Sequence, residues 1–492
     1  MKKVISQFTK IDVISYILLI LTGLVGLNAI NYMKVNQEYN GMMTVLVVVW
    51  GINLVVCILK LRERIILALF YLAIFLFLIS RIAIPALQGT KWWLNYSVEA
   101  NCFAVYAIAI SIVALGGGMA GAEIISKIVS TVKSSKIKEK TSWIDRDSLI
   151  TVVRVILSVC MLCFYIREID KVLFMRGKVY EDYFILYHSR MPFFITFPAG
   201  CMQFFLCMLL ALKPSKKESF IWLFLYIVSA FPMLKIGVRN TFILNCIFAF
   251  VYYFLRDNQR KKNEKKWIGK KEKLLIVCII PAMILFMGAY NYIRAGKGVG
   301  LSAKSLVVDF AYKQGTTYDT VLQGYTYKDN LPMSNGKNYT FGALTDNFFY
   351  NSLGKKLFKL DDIGDGNCLR QVYNGHTFSH AISYVVLGRD YIAGNGRGSS
   401  YIIENYIDWN YTGVVIFSIV LGCICGLIPR IFGKKWLISI ICLNMITSLF
   451  FVPRAESTSF ITFLASYKFW ICIIASIIIT KIWMQINRRK DK

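Results

Sequence analysis

Apolar residues run through this chain in blocks of about 20, each long enough to cross a hydrocarbon core of roughly 30 Å. The blocks fall near 11–31, 41–60, 64–85, 98–117, 149–169, 193–212, 219–234, 237–255, 273–292, 411–430, 435–452 and 458–482. Short polar segments separate them, except that residues 294–410 stay polar throughout. The pattern predicts an all-α polytopic membrane protein with twelve transmembrane helices. Nine fall in residues 1–293, a large loop occupies 294–410, and three more with a tail occupy 411–492. The first block is too long for the apolar part of a signal peptide and reads as a retained anchor.

Basic residues then set an orientation. They concentrate at 60–64, 127–140, 213–217, 256–273, 430–435 and 488–492. With twelve spans all of these segments share one side, which the bias of Lys and Arg toward the cytoplasm makes the inner one. Both termini are then cytoplasmic and the large loop faces outward. The same placement changes the meaning of the net charge of +29. In a soluble protein that charge would suggest nucleic acid, but here short loops between spans account for it. Of the 13 cysteines only Cys368 lies away from the apolar runs, so no disulfide framework is expected.

The large loop carries 12 Lys/Arg against 10 Asp/Glu and is rich in Gly, Asn, Tyr and Asp. A polar insertion of this size is seldom a passive connector. It reads as a helical stretch over 303–323, with Leu306, Val307, Phe310 and Ala311 on one face. Turns follow around 330–338 and 361–367, and a second helix spans 378–386.

Several outward cations suit phosphate oxygens, because a guanidinium grips them with two parallel donors. Arg239 opens the eighth predicted span, Arg454 sits in the turn between the last two, and Arg397 lies in the glycine-rich segment 394–400. Lys468 falls about ten residues into the last predicted span, where a charge is costly and marks function or pairing. Glu404 and Asp408 stand i, i+4 and share a face if the residues before Tyr411 are helical. A carboxylate or imidazole there is placed to act as a general base, which makes His380 and Glu404 the catalytic candidates. His376 and His380 also stand i, i+4 but lack the glutamate of a zinc motif, so substrate contact is the better reading. Asp361, Asp362 and Asp365 suit either a divalent cation or an ordinary turn. No nucleotide-binding motif is present, and no cofactor is expected.

Four places together resemble the O-antigen and capsular polysaccharide repeat-unit polymerases, the Wzy-type family. They are Gly237-x-Arg239; Phe310 to Tyr318 with Gln314-Gly315 at its centre; His376 to Tyr384 continuing through Gly396-Arg397-Gly398-Ser399-Ser400 to Glu404 and Tyr406; and Pro453-Arg454. The chain departs from the family at Thr316, where Ser is common, and at Asn410, where Gly is common. The resemblance implies a GT-C-like membrane architecture and a donor glycan on a polyprenyl diphosphate such as undecaprenyl diphosphate. The acceptor is a second lipid-linked repeat unit, and a flippase and a chain-length regulator are working partners. It also implies substrate contacts for Arg239, Arg454, Arg397, His376, Gln314 and Ser399; Lys468 joins them as a substrate-contact candidate on its charge alone. An O-antigen ligase-like transferase and a lipid-linked oligosaccharide flippase or transporter are the competing readings, although no internal repeat supports the latter.

Overall fold

The apolar blocks become helices because hydrocarbon offers no partner for backbone N–H and C=O groups, and a helix satisfies them internally. The computed structural model describes residues 8–93, 96–132, 145–178, 182–260, 264–294, 302–332 and 337–490. Every regular element among them is a helix. The basic residues of 133–140, 261–262 and 492, and part of the turn predicted at 330–338, lie outside the described residues.

Among the described residues, ten helices are long and apolar enough to cross a membrane. They include α1 (Lys10–Val35), α2 (Tyr39–Leu59), α3 (Leu61–Leu87), α4 (Val98–Val132), α5 (Arg146–Phe174), α6 (Phe193–Ala211) and α7 (Lys216–Ile236). The other two expected spans fall short of that standard. One is α8 (Asn240–Asn258), with Asn245 mid-helix and Arg256 and Asp257 at its end. α9 is Lys270–Arg294, and the loop follows it.

The loop is more helical than its sequence suggests. The single stretch predicted over 303–323 is two helices, α10 (Ala303–Gln314) and α11 (Thr317–Thr326). They part at Gly315, where an added Cβ would stand 2.8 Å from the backbone N of Arg81. Leu306 and Phe310 are buried as expected, but Val307 is 39% exposed. The turn-rich middle contains α12 (Gly342–Phe349) and two shorter helices, and the predicted second helix is α13 (Phe378–Leu387).

The chain returns to the bundle through α14 (Tyr401–Ile431), which breaks at Trp409 and Asn410. Asn410 has φ 54°, in the left-handed half of backbone space that glycine adopts without strain. The glycine that the resemblance expects here thus has a conformational reason.

The other segment below that standard is α15 (Trp436–Leu449), with 14 residues. A 3₁₀ segment, Ser459–Ala465, separates it from α16 (Tyr467–Lys490). The last span therefore starts at Tyr467 rather than near 458. Lys468 stands at the first turn of α16 and not at mid-membrane, which corrects the sequence expectation.

Two features hold the bundle. α4 and α14 approach backbone to backbone: a Cβ on Gly118 would lie 2.1 Å from the Ile419 carbonyl oxygen, and one on Gly422 2.1 Å from that of Leu115. Only glycine permits this spacing. At the end away from the loop, buried charges staple four helices. Arg64, fully buried, donates to both oxygens of Glu123 at 2.8 Å. Arg430 reaches Glu123 at 2.9 Å, while Lys60 and Lys127 hold Asp12 at 2.5 and 2.8 Å. At the opposite end Ser80 donates to the Ala311 carbonyl and Arg81 pairs with Asp319, both at 2.8 Å. The loop is thereby fixed onto the ends of the spans.

Candidate functional site

The short turn between α15 and α16 organises the loop face. Phe451 and Pro453 open it as a 3₁₀ turn, which the fixed backbone angle of proline favours. Successive side chains then reach four different pieces of the loop. Arg454 Nη1 donates to the Gln314 carbonyl at 2.9 Å and to its side-chain oxygen at 3.2 Å. Glu456 accepts from Ser379 on α13 at 2.5 Å. The Ser457 N–H donates to Glu404 at 2.7 Å, and the Thr458 hydroxyl donates to the Thr340 carbonyl at 3.2 Å.

The turn therefore brings together residues that the sequence keeps far apart. Gln314, buried at the end of α10, meets Arg454 across 140 positions. Glu404 is fully buried, and its other oxygen accepts from Ser399 at 2.5 Å. Both carboxylate oxygens are thus occupied by protein donors, and Glu404 ties the glycine-rich segment to the Arg454 turn. Asp408, expected on the same face, instead accepts from the backbone N–H groups of Tyr339 and Thr340 at 3.2 and 2.7 Å.

His380 has a different setting. Its Nδ1 lies 2.7 Å from the Tyr391 hydroxyl, which donates to the Cys368 carbonyl at 3.3 Å. With the hydroxyl proton given to Cys368, the tyrosine oxygen accepts Nδ1–H, and Nε2 keeps its lone pair. Burial pushes the imidazole below its ordinary range, against the opposing pull of Glu456 and Asp346. Burial thus favours the neutral ring, which remains partly exposed. His376 is bound to Asp346 twice, by its ring at 2.7 Å and its backbone N–H at 2.8 Å. Its role in the fold is to close the end of α12 onto α13.

The remaining candidates spread around this hub. Arg397 is exposed; its backbone N–H donates to Ser383 at 2.8 Å and its carbonyl accepts from Thr320 at 3.3 Å. Its charge acts on Asp319, whose carboxyl burial raises and whose partners Arg81 and Arg397 lower it again. Arg239 follows Gly237, which ends a helical turn at φ 112°, and reaches the Met287 carbonyl at 3.5 Å. The neighbouring Leu234 packs with Met287 and with Phe310 of α10. Phe310 and Gln314 stand i, i+4, so α10 links the Arg239 region to Arg454 along one face. Lys468 belongs elsewhere, over the ring of Phe197 at 5.9 Å. Among the described residues, no three His, Cys, Asp or Glu side chains gather as a metal site. Asp362 is engaged by Lys355 at 2.8 Å and by the Gly364 N–H, which is turn chemistry.

Beside the hub lies a cleft of about 530 Å³ that sequence reasoning missed. Trp92, Tyr96, Tyr292 and Tyr312 line it, together with the Arg81–Asp319 pair and Asn101. Aromatic plates alternating with amide and carboxylate groups suit a polyhydroxylated ligand, whose rings have apolar faces and polar edges. The signal was present only as scattered aromatics, which an interfacial belt explains equally well. A family model described as O-antigen polysaccharide polymerase Wzy matches residues 11–487. No curated protein and no solved structure matches the chain.

Proposed function

Because the chain belongs to the O-antigen polysaccharide polymerase Wzy family, we propose that it joins polyprenyl-diphosphate-linked oligosaccharide units into O-antigen, capsular or exopolysaccharide chains at the outer face of the cytoplasmic membrane. Repeat-unit polymerisation is the activity of that family and of this chain. The carrier, the membrane face and the residue roles are the proposed part. Twelve crossings with a GT-C-like arrangement fit this reading, counting α8 and α15 with the ten longer helices. The gathering of basic segments at the end away from the loop supports an outward loop.

In the reaction a hydroxyl of one lipid-linked unit attacks the anomeric carbon of the donor glycan. A C–O bond forms there, the bond to the diphosphate breaks, and the polyprenyl diphosphate leaves with the electron pair. The hydroxyl proton passes to a base. His380 suits that role, because its neutral ring keeps the Nε2 lone pair and Tyr391 orients it. Arg454 stabilises the charge developing on the leaving diphosphate, with Arg239 and Arg397 as further clamps. Gln314 positions Arg454, and Glu404 with Ser399 positions the turn that carries it. His376 contributes a substrate contact at the rim, and the aromatic cleft receives sugar rings; Lys468, over the ring of Phe197, stands outside this arrangement.

The observation that carries this reading is the contact of Arg454 with Gln314, two residues of separate family motifs. Arg454→Ala is expected to lower polymer formation about 10²–10³-fold, the usual cost of losing one preorganised donor at a developing negative charge. Single repeat units persist on the carrier. Arg454→Lys keeps the charge without the fork and retains part of the activity. The glycan ladder from cells carrying each variant measures this, and a normal ladder from Arg454→Ala overturns the assignment.

A further inference from the structure

At the end of the bundle away from the loop, a second cavity of about 850 Å³ opens between α5, α6, α8 and α15. Arg146, Lys213, Arg256 and Lys435 line it, with Trp267 and Trp436 as aromatic walls and Glu264 as its carboxylate. Three of the cations are held in place by neutral groups. Arg146 donates to the Leu212 and Lys213 carbonyls at 2.6 and 3.3 Å, and Lys213 to the Gly433 carbonyl at 3.0 Å. Arg256 donates to the Pro214 carbonyl at 3.2 Å and the Tyr252 hydroxyl at 2.8 Å, and lies 4.1 Å over the ring of Trp267. Among the described residues, none of these four cations forms an ion pair with a carboxylate.

Crowding like charges in a cavity is unfavourable unless an anion occupies it. Burial first, and then the neighbouring Arg256 and Arg146, push the Lys213 ammonium below its usual range, against the opposing pull of Glu264. The buried ion network of α1, α3, α4 and α14 pairs its cations with Asp12 and Glu123, whereas this cavity sets four cations around the single carboxylate of Glu264. Its position at the ends of apolar helices, with two tryptophans, is the depth at which lipid headgroups lie.

We propose that this cavity is a binding site for the phosphodiester headgroup of an anionic phospholipid. The headgroup enters among Arg146, Lys213, Arg256 and Lys435, while its acyl chains run along the neighbouring apolar helices. A bound lipid bridges α5, α6, α8 and α15 at their ends, remote from the polymerising face.

Native mass spectrometry of the full-length protein in neutral detergent, titrated with phosphatidylglycerol, tests this. Saturable binding above the phosphatidylcholine background is expected. Lys213→Gln and Lys435→Gln each weaken it about fivefold, the effect of one surface cation on an anionic lipid. Lys217→Gln, exposed and outside the cavity, leaves it unchanged. Lys435 is exposed at the start of α15, so its variant keeps the fold, and an unaltered glycan ladder verifies this. Unweakened binding in both cavity variants overturns the site. Equal retention of phosphatidylcholine removes the charge recognition. Inorganic pyrophosphate that displaces the lipid and binds with equal affinity reassigns the cavity to a soluble phosphate ligand and overturns the lipid proposal.

Discussion

On the proposed reading, individual side chains divide into those that meet substrate and those that hold them. His380 is the sharpest case, since burial favours the neutral form of its ring. A depressed histidine pKa means that the folded state favours the neutral form. The associated stability is present above the unfolded value, near 6.5, and fades as pH falls through the lower folded value. If Nε2 is the base, polymerisation by the purified protein loses rate on an acid limb centred below 6.5. His380→Gln abolishes most activity and flattens that limb. Glu404 behaves differently because both its oxygens are occupied. Glu404→Ala leaves the Ser399 hydroxyl and the Ser457 N–H without their acceptor, at a cost of about 1–3 kcal/mol each. Thermal denaturation of the detergent-solubilised protein is the readout. The sequence named His380, Glu404 and Arg454 because residue type and side are legible in one dimension, and Gln314 through the family resemblance. It did not assign roles to Glu456, Asp346 or Tyr391, whose histidine or serine partners lie 77, 30 and 11 residues away.

At the level of elements, helix identity was legible wherever apolar runs were long, since a spanning segment has no alternative to a helix. Boundaries were less so near polar interruptions. α16 starts late because the residues after the Arg454 turn wind as a 3₁₀ segment, and that placement moved Lys468 to the helix end. The break in α14 makes a specific prediction. Asn410→Gly relieves a left-handed backbone angle and is expected to stabilise the protein by about 1 kcal/mol, read as a higher melting temperature. The α4–α14 contact predicts the reverse. Gly422→Val drives a side chain into the Leu115 carbonyl and prevents accumulation of folded protein. Gly117→Ala meets nothing within 4 Å and is tolerated. Fluorescence-detected size-exclusion chromatography of the two variants distinguishes them.

Across the whole molecule, charge is sorted by end. One end holds the staple of Arg64, Glu123, Arg430 and Asp12 and the basic cavity, and the other holds the loop, the Arg454 hub and the aromatic cleft. Sequence revealed this sorting through the distribution of lysines and arginines, although it could not reveal that Arg64 and Glu123 bury each other. Removing one partner leaves an uncompensated buried charge, so Arg64→Ala costs about 3–5 kcal/mol and lowers the amount of folded protein. The most direct measurement uses the purified chain in vesicles supplied only with outward-facing lipid-linked repeat units. Glycan of increasing length is expected, with one polyprenyl diphosphate released for each unit added, and both are expected to disappear in Arg454→Ala. Movement of units across the bilayer without lengthening, or undiminished release by Arg454→Ala, would contradict the account.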